Sequence, residues 1–162
     1  MARVYISLGS NIDREALTRA GVEALRLQFG ELLLSSVYES EAVGFEGASF
    51  YNMVIALQTD KDVWGVSQLL RQIEDEHGRD RSGPRFSSRT LDLDLLLYDD
   101  LIIDENGLQI PRDEILLRAF VLWPLAEVAP ELLHPQVNKT YGELWQAFDK
   151  SKEKLVPVAF DF

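Results

Sequence analysis

The chain has 162 residues, a length that fits one domain with a single buried core. It carries 27 acidic and 16 basic residues, and its formal net charge of −11 argues against nonspecific nucleic-acid binding, which depends on basic residues that neutralise phosphates. No apolar stretch is long enough to cross a bilayer, and the N-terminus lacks a signal peptide's apolar region. The absence of cysteine excludes a disulfide scaffold or a thiolate metal site. Together these features fit a cytoplasmic protein.

The first part of the chain predicts a strand followed by a helix. Residues 2–8 are rich in β-branched and aromatic types, and the turn Gly9-Ser10-Asn11, which we interpret as structural, ends this strand. A helix is expected over 13–29, with Gly30 as its stop. Its buried face is predicted to consist of small or apolar residues, namely Leu17, Ala20, Ala24 and Leu27.

A long loop separates the second predicted strand, residues 32–39, from the third, residues 50–59. The loop, residues 40–49, is too long for a plain hairpin, and long irregular connections tend to be functional or mobile. Asp62 can then cap a helix that runs to residue 77.

An arginine-rich loop and a strand over 91–98 complete the order βαββαβ, which predicts an α+β ferredoxin-like sandwich with helices on one face of the sheet. Shorter elements are expected after it: strands at 101–103 and 108–110, helical segments over 113–127 and 140–148, and an uninformative tail from residue 150 to 162. Pro124 is expected to interrupt the first of these helical segments. We interpret residues 1–162 as one domain.

The strand over 91–98 alternates between apolar and other side chains. One face would carry Leu91, Leu93, Leu95 and Leu97, and the other Asp92, Asp94, Leu96 and Tyr98. At about 3.3 Å of rise per residue the two aspartates lie roughly 7 Å apart, which suits a pair of divalent cations about 4 Å from each other. Oxygen ligands favour Mg²⁺, which usually takes one or two carboxylates plus substrate phosphates.

Arginines crowd into the segment before this strand, while no lysine occurs between Lys61 and Lys139. They are Arg71, Arg79, Arg81, Arg85 and Arg89. A planar guanidinium binds phosphate oxygens through paired hydrogen bonds, so an arginine loop that leads into paired aspartates predicts a polyphosphate site. Each feature alone is often a solvated surface, but clustered like charges without counter-ions would repel one another.

Four motifs occur in order along the chain: Tyr5-Ile-Ser-Leu-Gly-Ser-Asn11, Phe50-Tyr-Asn52, Gly78-Arg-Asp-Arg81 with Arg89-Thr-Leu-Asp-Leu-Asp94, and Arg118-Ala-Phe-Val-Leu-Trp-Pro-Leu125. In this set, which spans residue 5 to about residue 135, the chain resembles the 6-hydroxymethyl-7,8-dihydropterin pyrophosphokinases of folate biosynthesis. The resemblance implies a monomeric ferredoxin-like enzyme that moves the terminal pyrophosphoryl group of ATP to a pterin hydroxymethyl group and releases AMP.

The same resemblance implies a metal site and a nucleotide site. Asp92 and Asp94 would hold two Mg²⁺ ions that bridge the ATP phosphates. Three arginines would act catalytically by binding those phosphates: Arg79, Arg81 and Arg89. The other ATP-binding positions would be Arg71, Glu74, Leu95, Gln109, Arg112 and Arg118.

For the pterin, the resemblance implies a polar edge between two aromatic rings. Asn52 would form hydrogen bonds with the donor and acceptor edge of the pterin, and Phe50 and Phe120 would stack on the two faces of its ring. Ser40 and Val43 fall where the family offers its backbone to the pterin. On composition alone, the phenylalanines are core residues, whereas a buried amide such as that of Asn52 needs hydrogen-bonding partners.

The chain departs from the family pattern at three places. Arg112 follows Pro111 where histidine is common, Phe86 and Ser87-Ser88 stand where tryptophan and Gly-Pro are frequent, and no proline run follows Ser40. These departures leave open a relative that binds nucleotide or pterin without turning it over. A second alternative is a nucleotidyl-transfer or cyclase domain, because a ferredoxin-like sheet with paired aspartates can also host that two-metal chemistry.

Overall fold

A computed structural model describes residues 1–41, 48–78 and 90–162 of the chain. The strands within these residues are β1 (Ala2–Ser10), β2 (Leu33–Leu34), β3 (Val37–Ser40), β4 (Phe50–Thr59), β5 (Asp92–Tyr98), β6 (Ile103–Glu105), β7 (Leu108–Ile110) and β8 (Leu155–Val158). The helices are α1 (Arg14–Phe29), α2 (Val63–Glu76), α3 (Glu114–Leu117), α4 (Ala119–Val128) and α5 (Tyr141–Ala147). No helix in the described part of the chain combines the length and the apolar character that a membrane span requires.

The main sheet is antiparallel and has the strand order β5-β1-β4-β3-β8, with β2 pairing separately with β4. The first four strands in this order, with α1 and α2, reproduce the ferredoxin-like arrangement, so the predicted α+β fold is confirmed. The tail, for which the sequence predicted no secondary structure, forms β8. The hairpin β6-β7 turns at Asn106 and Gly107, whose φ angles of 51° and 80° explain the choice of these two residues.

Two hydrophobic cores form, one on each face of this sheet. The first, under α1 and α2, contains Val22 and Leu70 from those helices. The second, under α4 and α5, contains Leu122, Leu125 and Tyr141. The expectation of helices on one face was therefore incomplete, because the C-terminal helices cover part of the other face.

The alternation of β5 holds only as far as Leu95. Ile6 of β1 pairs with Leu95 and Tyr5 pairs with Leu97, so Leu96 is an extra residue on β5. Such a bulge reverses the side-chain alternation that follows it. Leu96 and Leu97 consequently both join the core under α4, and the prediction that Leu97 shares a face with Leu95 is wrong.

The predicted buried face of α1 was also wrong, since Leu27 is 77% exposed. The buried residues are instead Thr18, Gly21, Val22 and Leu25. A Cβ atom on Gly21 would lie 2.9 Å from Leu8 Cδ1, so this face relies on small residues to bring the helix close to the sheet. Two of the four buried positions, Thr18 and Gly21, are not apolar, so hydrophobic periodicity alone gives only half of this face.

The interruption of the helical segment over 113–127 lies at Arg118 rather than at Pro124. Arg118 has an extended backbone, with φ −128° and ψ 126°, and its N–H donates to the Glu114 carbonyl at 2.9 Å to close α3. Pro124 is buried inside α4. Two other predicted helix starts are confirmed by side-chain caps, that of Asp62 on α2 and that of Thr140 on α5.

Candidate active site

One predicted metal residue, Asp92, and one predicted pterin residue, Asn52, lie in one row across three strands. Gly9 of β1 pairs with Asp92 of β5 on one side and with Asn52 of β4 on the other. One position along the sheet, Ser7 pairs with Asp94. Because neighbouring strands lie about 4.8 Å apart, Asp92 and Asn52 flank Gly9 with their Cα atoms roughly 10 Å from each other.

This row lies on the face of the sheet that α4 and α5 partly cover. Along β1, Val4, Ile6 and Leu8 enter the core under α1 and α2, whereas Tyr5 enters the core under α4. Ser7 and Gly9 continue the face of Tyr5. The aspartates and Asn52, being cross-strand partners of Ser7 and Gly9, share that face.

Gly9 gives the Asn52 side chain room to lie across β1. A Cβ atom at Gly9 would lie 3.2 Å from Asn52 Oδ1 and 3.7 Å from Phe50 Cδ1. The motif that contains Gly9 was interpreted as a structural turn, and its role beside Asn52 was missed. The alternation of β1 places Gly9 on the polar face, but only the strand register places it beside Asn52.

The carboxylate of Asp94 lies in an unfavourable electrostatic environment. Burial and the neighbouring Asp92 raise the pKa of Asp94 well above its ordinary value, and the guanidinium of Arg112 only partly offsets them. Arg112 Nη2 lies 3.5 Å from Asp94 Oδ1. A carboxylate that resists ionisation beside a second carboxylate favours a bound cation.

Arg112 is held against Asp94 by Glu114, a residue that the sequence reasoning did not select. The Arg112 Nε–H donates to Glu114 Oε1 at 3.0 Å, and the Arg112 backbone N–H donates to the Leu96 carbonyl at 3.1 Å. Burial disfavours the charged guanidinium, but Asp94 and Glu114 outweigh it, so the pKa of Arg112 lies above its ordinary value. Only the folded chain brings Glu114 to Asp94.

We expect Arg112→Gln to destabilise the metal-free protein at pH 7 by about 1–2 kcal/mol, between the values for exposed and buried ion pairs. The substitution removes the positive charge that Arg112 places between the carboxylates of Asp94 and Glu114. Urea unfolding in the presence of a chelator measures the effect. The matched control is Arg26→Gln, which removes an exposed pair with Glu23 at 3.9 Å and should change stability by less than about 0.5 kcal/mol. Equal stabilities for wild type and Arg112→Gln would contradict the prediction.

Asn52 and Ser40 form a buried polar pair at the end of β3 and β4. The Asn52 Nδ2 donates to Ser40 Oγ at 2.6 Å, and the two residues are 6% and 7% exposed. Phe50, directly opposite Ser40 in the sheet, is half-buried on the same face as Asn52. Phe120 is half-buried against the core under α4. Ser40, Phe50 and Asn52 thus converge at one end of this face.

The predicted nucleotide residues occupy several positions around β5. Glu74 of α2 is 7% exposed and accepts a hydrogen bond from the Leu93 backbone N–H at 2.8 Å, along the outer edge of β5. Arg71 lies one turn earlier on α2 and is exposed. Leu95 packs in the core under α1 and α2, so its side chain is not exposed to a ligand.

The remaining nucleotide candidates lie after β5. Gln109 is exposed on β7, and Arg118 is half-buried between α3 and α4. Four predicted site residues lie outside the described part of the chain: Val43, Arg79, Arg81 and Arg89. Arg85, Phe86 and Ser87-Ser88 lie outside it as well.

The turn after β1 anchors the residues that follow the two undescribed stretches. Ser10 Oγ donates to the Thr90 carbonyl, and Asn11 Nδ2 donates to the Ala48 carbonyl at 2.9 Å. Ser10 and Asn11 are both buried. Their contacts agree with the interpretation of this turn as structural.

A family model described as 7,8-dihydro-6-hydroxymethylpterin-pyrophosphokinase matches residues 5–130. Among curated relatives, the 2-amino-4-hydroxy-6-hydroxymethyldihydropteridine pyrophosphokinase of Bacillus subtilis is 39% identical over 132 residues, which cover 79% of this chain and 78% of the relative. The enzyme of the same name from Aquifex aeolicus is 35% identical over 146 residues, covering 88% and 90%.

Solved structures with a similar fold include an HPPK-DHPS in complex with substrates, at a TM-score of 0.72 and 11% identity. The wild-type HPPK-DHPS of Plasmodium falciparum with pterin and p-hydroxybenzoate aligns at a TM-score of 0.71 and 15% identity. Each alignment covers 90% of this chain but only 43% and 42% of those longer chains, respectively, so this chain spans less than half their length.

Proposed function

Because the chain belongs to the 7,8-dihydro-6-hydroxymethylpterin-pyrophosphokinase family, we propose that it transfers pyrophosphate from ATP to the hydroxymethyl group of 6-hydroxymethyl-7,8-dihydropterin, giving AMP and the pterin diphosphate. The observation that carries the proposal is the row formed by Asp92, Gly9 and Asn52, with Asp94 beside it. It puts a carboxylate pair about two strand spacings from a buried amide. A phosphate-bearing and a pterin-bearing substrate can therefore meet over Gly9.

The carboxylate pair fits Mg²⁺ as the metal of this reaction. The raised pKa of Asp94 reflects burial and the charge of Asp92, which a cation would relieve. In the described residues, no cluster of three or more histidine, aspartate or glutamate side chains could hold a metal. Asp92 and Asp94 would therefore share two Mg²⁺ ions with the phosphates of ATP, and the bound ions would supply charge neutralisation.

For the pterin we propose that Asn52 supplies the recognition group. Its bond to Ser40 fixes the amide and uses one N–H, so the other N–H and Oδ1 can face a ligand. A flat heteroaromatic ring with adjacent donor and acceptor groups matches this amide. Phe50 and Phe120 would stack on the two faces of the pterin ring, and Ser40 and Val43 would complete the pocket.

For ATP we propose that arginines neutralise the phosphates. The charge that shifts as AMP leaves would be balanced by Arg79, Arg81 and Arg89. Further contacts would come from Arg71, Glu74, Leu95, Gln109, Arg112 and Arg118. The transfer is an in-line attack of the pterin hydroxymethyl oxygen on the β-phosphorus, and positioning with charge neutralisation supplies most of what such a reaction needs.

The test is incubation of the chain with Mg²⁺, ATP and 6-hydroxymethyl-7,8-dihydropterin, followed by chromatographic separation of AMP from ADP. Pterin-dependent AMP supports the proposal, and a reaction without pterin is the control. The replacement of the usual histidine by Arg112, bound here to Asp94, motivates a second candidate: a relative that binds ATP without transfer. ATP binding with no turnover would favour it, whereas ADP would indicate another phosphotransferase.

We also propose that the chain acts as a monomer in the cytoplasm. The family resemblance supports the monomer, and a chain without cysteine suits a reducing compartment. Light scattering at assay concentration measures the oligomeric state. A stable dimer that loses activity on dilution would contradict the monomer.

A further inference from the structure

The C-terminal residues 155–162, here called the C-terminal strap, lie beyond the match to the family model, which ends at residue 130. Its first half is β8, which pairs with all of β3 from Val37 to Ser40. Leu155 of the strap lies directly opposite Ser40. The strap therefore borders the strand whose last residue is bonded to Asn52.

Pro157 shows which strap residues carry the hydrogen bonds to β3. Proline has no backbone N–H, and in antiparallel pairs the residues that bond to one neighbour alternate along a strand. Since Pro157 is opposite Tyr38, the N–H groups directed at β3 belong to the alternate residues, Val156 and Val158. Val156 is opposite Glu39, the residue before Ser40.

Side chains fasten the rest of the strap to the same corner of the sheet. The Phe160 ring packs edge-on against Tyr51 with centroids 5.9 Å apart. Arg19 of α1 lies 4.6 Å over the Phe160 ring and donates from Nε to the Asp161 carbonyl at 2.8 Å. Tyr51 is the neighbour of Asn52 along β4 and the cross-strand partner of Glu39.

A second set of contacts completes this corner. Arg14 stacks 4.0 Å over Tyr51 and pairs with Glu39 at 2.7 Å. Its Nη1 also donates to the Ser49 carbonyl at 3.0 Å, just before β4 begins. The strap, α1, β3 and β4 therefore form one connected unit on the α1 side of the sheet, behind Ser40 and Asn52, whose chain neighbours Glu39 and Tyr51 belong to it.

From these contacts we infer that the C-terminal strap is a positioning element for the pterin side of the active site. Without β8, β3 becomes a four-residue edge strand paired only with β4, and its end at Ser40 loses one of its two neighbours. The strap thus holds Ser40, and through it the Asn52 amide, in the orientation that reads the pterin. The inference rests on the proposed function, whose pterin site it deepens.

The test compares Val156→Pro with Val156→Thr in the full chain. Both variants replace the same valine side chain, but only proline removes the N–H that bonds to β3. We expect Val156→Pro to raise KM for the pterin about three- to tenfold, the effect of loosening one positioning hydrogen bond, while KM for ATP stays unchanged. Val156→Thr should keep both wild-type KM values, because threonine retains the N–H and suits a strand.

A second variant, Phe160→Ala, tests the strap without altering its backbone. It should raise KM for the pterin in the same direction and leave KM for ATP unchanged, with Leu27→Ala, at an exposed position of α1, as its control. Titration calorimetry with the pterin and a non-hydrolysable ATP analogue reads binding without turnover. If Val156→Pro does not fold, Phe160→Ala decides.

Two outcomes would overturn the inference. One is an unchanged pterin KM in the folded variants, and the other is an equal rise in both KM values, which would indicate only general loosening. An inactive wild-type chain would instead overturn the proposed function, so the wild-type assay comes first and separates the two failures.

Discussion

Asp94→Asn is expected to lower pterin-dependent AMP formation by about a thousandfold, which is the scale for loss of a group that stabilises developing charge. Asparagine keeps the size of the side chain but removes the charge that would hold Mg²⁺. The assay is AMP release at saturating ATP and pterin, over a range of Mg²⁺ concentrations. The control is Asp104→Asn, at an exposed position on β6, which should retain wild-type activity.

The same substitution should stabilise the metal-free fold at neutral pH. The pKa of Asp94 is raised in the folded state, so between the ordinary aspartate pKa and that raised value the folded chain binds more protons than the unfolded chain. Wild-type stability from this group therefore falls as pH rises through that window. Below the ordinary pKa both states are protonated and the effect vanishes.

Thermal unfolding in a chelator measures this pH dependence. The melting temperature of Asp94→Asn should exceed that of the wild type at pH 7, and the difference should shrink as the pH approaches the ordinary aspartate value. Addition of Mg²⁺ and ATP should raise the melting temperature of the wild type much more than that of the variant. A variant that is less stable than the wild type at neutral pH, or that keeps a tenth of the activity, would rule out this account of Asp94.

Asn52→Ala is expected to reduce kcat/KM for the pterin by about a hundredfold, because a site built around hydrogen bonds discriminates strongly when one partner is removed. KM for ATP should be unchanged, since the carboxylate pair lies on the far side of Gly9 from Asn52. Steady-state kinetics with each substrate varied in turn make the measurement.

The matched control for Asn52→Ala is Gln58→Ala, which removes another amide from the same strand at an exposed position. It should leave both KM values at their wild-type levels. If Asn52→Ala weakened ATP and pterin equally, Asn52 would have a structural role rather than a role in pterin recognition.

The parts of this structure that the sequence predicted are those set by local rules. The shared face of Asp92 and Asp94 follows from the two-residue period of a strand, and the caps at Asp62 and Thr140 follow from side-chain chemistry within one turn. The hairpin at Asn106-Gly107 is likewise local. Each of these signals lies within a few residues of the feature that it predicts.

The parts that the sequence did not predict depend on residues far apart in the chain. Asn52 and Asp92 lie on either side of Gly9 only because of the register of three strands. The extra residue Leu96 depends on how β5 pairs with β1, and Glu114 reaches Asp94 only through Arg112. β8 acquires its structure from pairing with β3, more than a hundred residues earlier in the chain. These features depend on tertiary contacts, so no short segment of the sequence predicts them.

The hydrogen bond between Glu74 and the Leu93 N–H also covers part of one border of the sheet. β5 forms one border of the sheet, where unpaired backbone groups can template pairing with another molecule. Glu74 occupies one such donor with a negatively charged acceptor, and at the opposite border Pro157 offers no donor at all. Both borders therefore offer fewer free donors to a strand of another molecule, which disfavours intermolecular strand addition.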